Sequence, residues 1–281
     1  MSGVEGKTGL NWRARLVRWV SRWLSTDVQP APAPRTDFAR LSEHLQPADV
    51  VLVAGRSRVA GVIQTVTLSS WSHAALYIGR ADTLAEGKVR QVVAQAGWPP
   101  DTQILLEAEM GDGVRVSPLA RYRGEHLRIC RPRDMPESDR AAVISYACAR
   151  YGTPYDTRQI LDLLRFFLPY GVLPRHWRST LFEAGHGDMI RAICSTLLAN
   201  AFASVHYPIL PTIHRGEHGE MIFVRRNGRL ITPRDFDYSP YFDIIKYPFF
   251  GDDVDRYRDL LWDDDAPCAS RPVRRGRRLR K

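Results

Sequence analysis

The sequence is poor in cysteine, with four in 281 residues and none in a C-x-x-C pair. That excludes a disulfide scaffold and argues against a cysteine-rich zinc site. It has no apolar run of the roughly 18 to 20 residues that a bilayer crossing requires. No apolar h-region of signal-peptide type stands near Met1, because arginines interrupt every candidate stretch, so a reducing cytoplasm is the expected compartment. Acidic residues are missing from one end and scarce at the other. Residues 271–281 carry seven bases and no acid, and residues 1–26 carry five bases against Glu5. Of the net charge of +9, residues 27–270 are left with −2. A groove built for a duplex would carry its basic charge on the body, so nucleic acid is not an expected partner there. The basic ends suit anionic surfaces such as lipid headgroups or RNA.

What is present is enough for a folded core: 44% of residues are hydrophobic and 25% charged, which speaks against wholesale disorder. Residues 12–24, WRARLVRWVSRWL, place tryptophan and leucine at helical spacing with Arg15, Arg18 and Arg22 mostly on the other side. Such a helix suits a membrane interface first, then docking on its own domain, and least a partner helix. A segment with alternate prolines follows at 29–34, where a helix is forbidden. The expected division is a Trp/Arg helix over 1–26, a Pro-rich linker over 27–37, a catalytic body over 38–250, and an acidic, then basic, disordered tail over 251–281. An anionic membrane surface is an expected partner of residues 12–24 and 271–281.

Within the body, 49–54, 72–79, 103–109, 114–116 and 126–131 read as strands, and so does a stretch around 89–96. Residues 58–68, 137–151, 158–168 and 192–205 read as helices, and a hairpin is expected at 221–231 turning on Asn227-Gly228.

Cys194 is the leading nucleophile, because of its place. It opens an apolar helix whose inward face is Cys194, Leu197, Leu198, Ala201, Phe202 and Val205. Backbone N–H groups and the positive dipole end of a first turn favour thiolate, and the same groups can hold an oxyanion. A buried inert cysteine would leave the same pattern. Cys130, Cys148 and Cys268 lie in a strand, on an apolar helix face and in a polar tail, and read as structural or incidental. His73, first in its strand, is the leading base, since a strand fixes a side chain's direction and small Ala74 and Ala75 leave room beside it. Glu107 in a neighbouring strand could orient the imidazole, but Glu109 shares its face, and periodicity does not separate the two. His214 and His218 would suit zinc only on a helix, which Gly216 and Gly219 disfavour, so no metal is expected.

WSHAALYIG at 71–79, LLEAEMGDGVRVSPL at 105–119, GTPYD at 152–156, AICSTLL at 192–198 and TPRDF at 232–236 occur in an order that resembles the permuted papain-like amidases, the YiiX-like branch of the NlpC-type superfamily. His73 precedes Cys194 by 121 residues, as in the circularly permuted branch. The resemblance spans roughly 45–246. It implies an α+β fold with a mostly antiparallel sheet packed against the helix of the nucleophile. It implies Cys194 as nucleophile, His73 as base and Glu107 as third polar residue, with Trp71, Tyr155 and Asp156 lining the substrate pocket. Ile193 stands where the family has an aromatic residue, and 157–191 is longer than the compact pattern. The function implied is that of a cysteine hydrolase, or a related acyltransferase, acting on an amide or ester of a peptide or lipid without cofactor. A module that keeps the fold without the activity, at a membrane surface or with RNA, is the alternative.

Overall fold

A computed structural model describes residues 23, 26–27, 36–109, 112–153, 195–216 and 218–245. The described chain is an α+β fold around a six-stranded sheet of order β4-β3-β2-β1-β5-β8, antiparallel throughout. Its strands are β1 (Val50–Ala54), β2 (His73–Arg80), β3 (Gln103–Glu109), β4 (Gly113–Pro118), β5 (His126–Pro132) and β8 (Phe242–Ile245). The expected helix 158–168 lies outside the described residues.

Alternation along each strand divides the core in two. Val50, Leu52, Ala74, Leu76, Ile104 and Leu106 face one side. There they meet α3 (Lys88–Gln95), α4 (Glu137–Cys148), α5 (Ser195–Ser204) and α6 (Pro233–Tyr238). Val51, Val53, Ala75, Tyr77, Leu105 and Ile129 face the other side, beneath α1 (Phe38–His44) and the short 3-10 turn Leu119–Tyr122. Both strand faces are covered, so these strands read as apolar runs with little polar alternation. Phe202 of α5 sits among Tyr207, Phe236 and Phe242 in tilted and edge-on contacts, which hold α5 against the sheet. α1 is capped by Asp37, which accepts from the N–H groups of Ala39 and Arg40. The buried carboxylate of Asp49 accepts two bonds from Arg131, at 2.9 and 2.8 Å, and ties the entry of β1 to β5.

Two sequence expectations fail. Residues 88–95 form a helix in place of a strand, because Val89 and Val93, four apart, are the two buried positions. Helical spacing therefore outweighs the β-propensity of valine. The hairpin lies earlier than expected: β6 (Thr212–Arg215) pairs with β7 (Met221–Val224). Gly228 instead starts a 3-10 turn against α5, where a Cβ would lie 2.7 Å from Asn200 Oδ1. Close approach, and not a hairpin, explains the glycine.

The end of the Trp/Arg segment sits on the body. Arg58, first residue of α2 (Arg58–Thr67), stacks over Trp23 at 4.8 Å and donates to the Trp23 carbonyl at 3.1 Å. Its backbone N–H donates to Thr26, and Asp27 pairs with Arg56 at 3.3 Å. Among the described residues no helix is long and apolar enough to cross a membrane.

Candidate active site

His73 opens β2 next to the central strand β1, opposite Val53. On its other side β2 pairs with β3 through Leu76↔Leu106 and Tyr77↔Leu105. Continued by three residues beyond Leu76↔Leu106, that register would set Ala75 opposite Glu107 and His73 opposite Glu109. His73 nevertheless reaches the carboxylate on its diagonal: its Nε2 lies 2.8 Å from Glu107 Oε2. The small side chain of Ala75 leaves that diagonal open, a distance long side chains span.

Glu107 is fully buried, whereas the His73 side chain is 19% exposed. The carboxylate has further partners. Tyr122 donates to Oε2 at 2.5 Å, and Ser117 donates to Oε1 at 2.8 Å. Arg115 stands farther off, at 3.4 Å from Oε1. Burial alone would raise this carboxyl, but the hydrogen bond and charge of His73, joined by the two hydroxyls, hold it below the ordinary carboxylate range. Tyr122 is pushed up by burial first and by the Glu107 charge next, so it stays a neutral donor. Ionised Glu107 on Nε2 favours the tautomer that carries its proton there.

Glu109 has other company. Arg121 donates to both its oxygens, at 2.8 and 3.1 Å, and Arg115 pairs with it as well. The ambiguity between the two glutamates is thereby resolved in geometry, with Glu107 on His73 and Glu109 on the arginines.

The ring of His73 borders a cleft of about 560 Å³. One wall is the apolar side of α2, with Val59, Ala60 and Ile63, and another is the charged rim of Arg56, Arg121 and Glu125. Thr26 and Asp27 close a further side, so the N-terminal segment contributes to the cleft. Trp71 is placed elsewhere. It is buried, its Nε1 donates to Asp237 at 3.0 Å, and it borders the neighbouring groove together with His126 and Arg128.

Cys194, Tyr155 and Asp156 lie outside the described residues. The helix that follows Cys194 is described: α5 packs on β2 and β3, on the side of Ala74 and Leu106. Ser195, first in α5, is fully buried, and its Oγ has no hydrogen-bond partner among the described residues. An unmet buried hydroxyl is a cost, so Ser195→Ala should be neutral or stabilising, by up to about 1 kcal/mol. Thermal unfolding of the two proteins reads this directly, and a clear loss of stability would show that the hydroxyl has a partner.

Of the described cysteines, Cys130 is buried and its thiol strongly raised, and burial pushes Cys148 up to about 11. Both stay protonated and unreactive near neutrality. His214 lies in strand β6, and among the described residues no cluster of three His, Cys, Asp or Glu is arranged to hold a metal.

Sequence reasoning missed Tyr122, Ser117 and Arg115. Ser117 and Arg115 could have been found from the strand that follows Glu107, since Arg115 is its direct cross-strand neighbour. Tyr122 gave no such signal, because a 3-10 turn delivers it.

The described site is thus a histidine–glutamate pair at a cleft on an antiparallel sheet. Residues 44–164 match the family model of the permuted papain-like amidase enzymes, the YaeF/YiiX, C92 family. This is the family that the sequence motifs resemble, and the matched stretch contains both His73 and Glu107. Among solved structures, the chain is similar to a protein described as the metalloprotein yiiX from Escherichia coli O157:H7. The identity is 13%, the TM-score 0.42, and the alignment covers 72% of this chain and 97% of that one. No curated protein matches.

Proposed function

We propose that the protein is a thiol-dependent hydrolase of an amide or ester, with Cys194 as nucleophile, His73 as general base and Glu107 as the orienting carboxylate. The observation that carries this reading is the 2.8 Å bond from His73 Nε2 to the fully buried Glu107. A structural histidine has little use for a carboxylate held this firmly, while an imidazole that must accept and return a proton does.

In the reaction, Nδ1 takes the thiol proton and the thiolate sulfur bonds to the substrate carbonyl carbon. The resulting oxyanion faces backbone N–H groups at the start of the nucleophile's helix. His73 returns the proton to the departing amine or alcohol as the C–N or C–O bond breaks, which leaves a thioester on Cys194. Water, or another acceptor in an acyl transfer, gives up a proton to His73, attacks the thioester and frees the thiol. The side chains of His73 and Glu107 belong to the sheet face opposite α5. The proposed reaction therefore requires the thiol to reach the imidazole past the end of β2, where His73 is the first residue. An amphiphilic substrate at an anionic surface fits the Trp/Arg segment, whose described end borders the cleft.

The test is covalent labelling of the full chain with a cysteine-directed acylating probe, read by mass spectrometry, followed by lipid and peptide extracts. One adduct on Cys194, lost in Cys194→Ala, is expected, with Cys130 and Cys148 unlabelled. In His73→Ala, labelling should fall at neutral pH and recover partly toward the free thiol pKa of about 8.5. Labelling that persists in Cys194→Ala, or no preference for Cys194, would leave an inactive binding module as the better reading.

A further inference from the structure

We infer that Tyr122 and Ser117 form a clamp of neutral hydroxyls that positions Glu107 for His73, and that Glu109 takes the closer contacts of two guanidinium groups that would otherwise close on that carboxylate. The inference gains its catalytic meaning from the roles proposed above for His73 and Cys194. Its geometry stands without them.

Glu107 has two oxygens, and both are engaged. Oε2 accepts from His73 and from Tyr122, and Oε1 accepts from Ser117 at 2.8 Å and, at a longer 3.4 Å, from Arg115. These donors come from three directions: β2, the Leu119–Tyr122 turn and β4. The terminal torsion of a glutamate is otherwise broad, so a strand alone does not fix the carboxylate plane. Three close donors on two oxygens do. The two added donors carry no charge, which leaves the full negative charge of Glu107 to act on the imidazole.

A guanidinium in the same place would orient the carboxylate just as well, but it would compete with the imidazolium for its charge. Two are close at hand. Arg115 is directly cross-strand from Glu107 yet sits 3.4 Å away, and Arg121 approaches only to 3.9 Å. Both make closer contacts with Glu109, and Arg115 also pairs with Asp112 at 3.3 Å. The two-residue spacing of the glutamates thus has a division of labour behind it. One carboxylate serves the histidine, and the next along the same face occupies the arginines. Across the cleft, Arg56 is paired with Glu125 and Asp27 and adds little net charge near the ring.

The experiment is an NMR titration of the His73 ring in the full chain carrying Cys194→Ala, so that no thiol titrates beside it. His73 is assigned by the signal missing from a His73→Gln protein. Tyr122→Phe removes one donor and keeps the ring. The carboxylate charge is then less dispersed, imidazolium is better stabilised, and the His73 midpoint should rise by roughly half a pH unit or more. Ser117→Ala should move it in the same direction through the other oxygen, and serves as well if the tyrosine variant folds poorly. Glu109→Gln should do the opposite, because its own negative charge near His73 is removed and released Arg115 and Arg121 close on Glu107, both of which lower the midpoint. Loss of general stability would not produce shifts of opposite sign. Unchanged midpoints, or shifts of one sign in all three variants, overturn the inference. Absence of selective labelling at Cys194, with the opposed shifts intact, would remove the hydrolase reading and leave the clamp standing.

Discussion

Alanine at position 73 should reduce turnover by about 10³-fold at neutral pH while the protein stays folded, the middle to upper part of what a positioned general base contributes. The His73 ring is partly exposed at the head of its strand, so its removal opens little core. The loss should fall mainly on kcat, because the imidazole acts on the thiol and the leaving group and contributes little to holding the substrate. Raising the pH should recover part of the rate by ionising the thiol directly. The measurement is a pH series of single-turnover rates once the labelling experiment has supplied a substrate. A His73→Ala protein within tenfold of the parent at neutral pH would remove His73 from the mechanism.

The largest effect on stability should come from Glu107→Ala. This change strips a fully buried carboxylate from the hydroxyls of Tyr122 and Ser117 and from the nearby Arg115. Donors left without an acceptor, plus the lost pairing, should cost about 3 kcal/mol. Urea unfolding at neutral pH checks this, and a cost under about 1 kcal/mol would mean that water or a neighbour replaces the carboxylate. The pH dependence has a definite sign. The Glu107 carboxyl is lowered in the folded state, so its contribution is fully present above the unfolded carboxylate pKa and is lost as the pH falls through the folded one. The parent should therefore lose stability in acid more steeply than Glu107→Ala, and the two curves should converge at low pH.

The sheet was legible because its strands are apolar and bounded by glycine and polar turns, and His73 stood out as a titratable residue at the head of such a run. The choice between Glu107 and Glu109 was not legible. Both face the same way, and a sequence does not show that the bond runs along a diagonal over Ala75. Tyr122 was hidden for another reason. Its direction is set by a 3-10 turn that follows β4, and neither a period of two nor one of 3.6 reaches it. The helix at 88–95 was misread because three valines in a short stretch suggest a strand, whereas burial selects only Val89 and Val93. The Asn227-Gly228 pair suggested a turn of the wrong kind, since a close packing contact asks for glycine as strongly as a hairpin does.

The order of the strands also bears on how the protein comes apart. β2 and β3 lie inside the sheet, flanked by the central strand β1 on one side and the edge strand β4 on the other, so each is paired on both sides. Fraying begins at edges, here β4 and β8, and in the separate two-stranded β6–β7 unit whose residues are all exposed. Hydrogen exchange in such an arrangement is graded, and the innermost amides open only when the whole domain does. His73 rides on one of the two central strands, and Glu107 on the strand next to it. Their alignment is thus tied more closely to the opening of the sheet interior than to the fraying of β8 or of the β6–β7 unit.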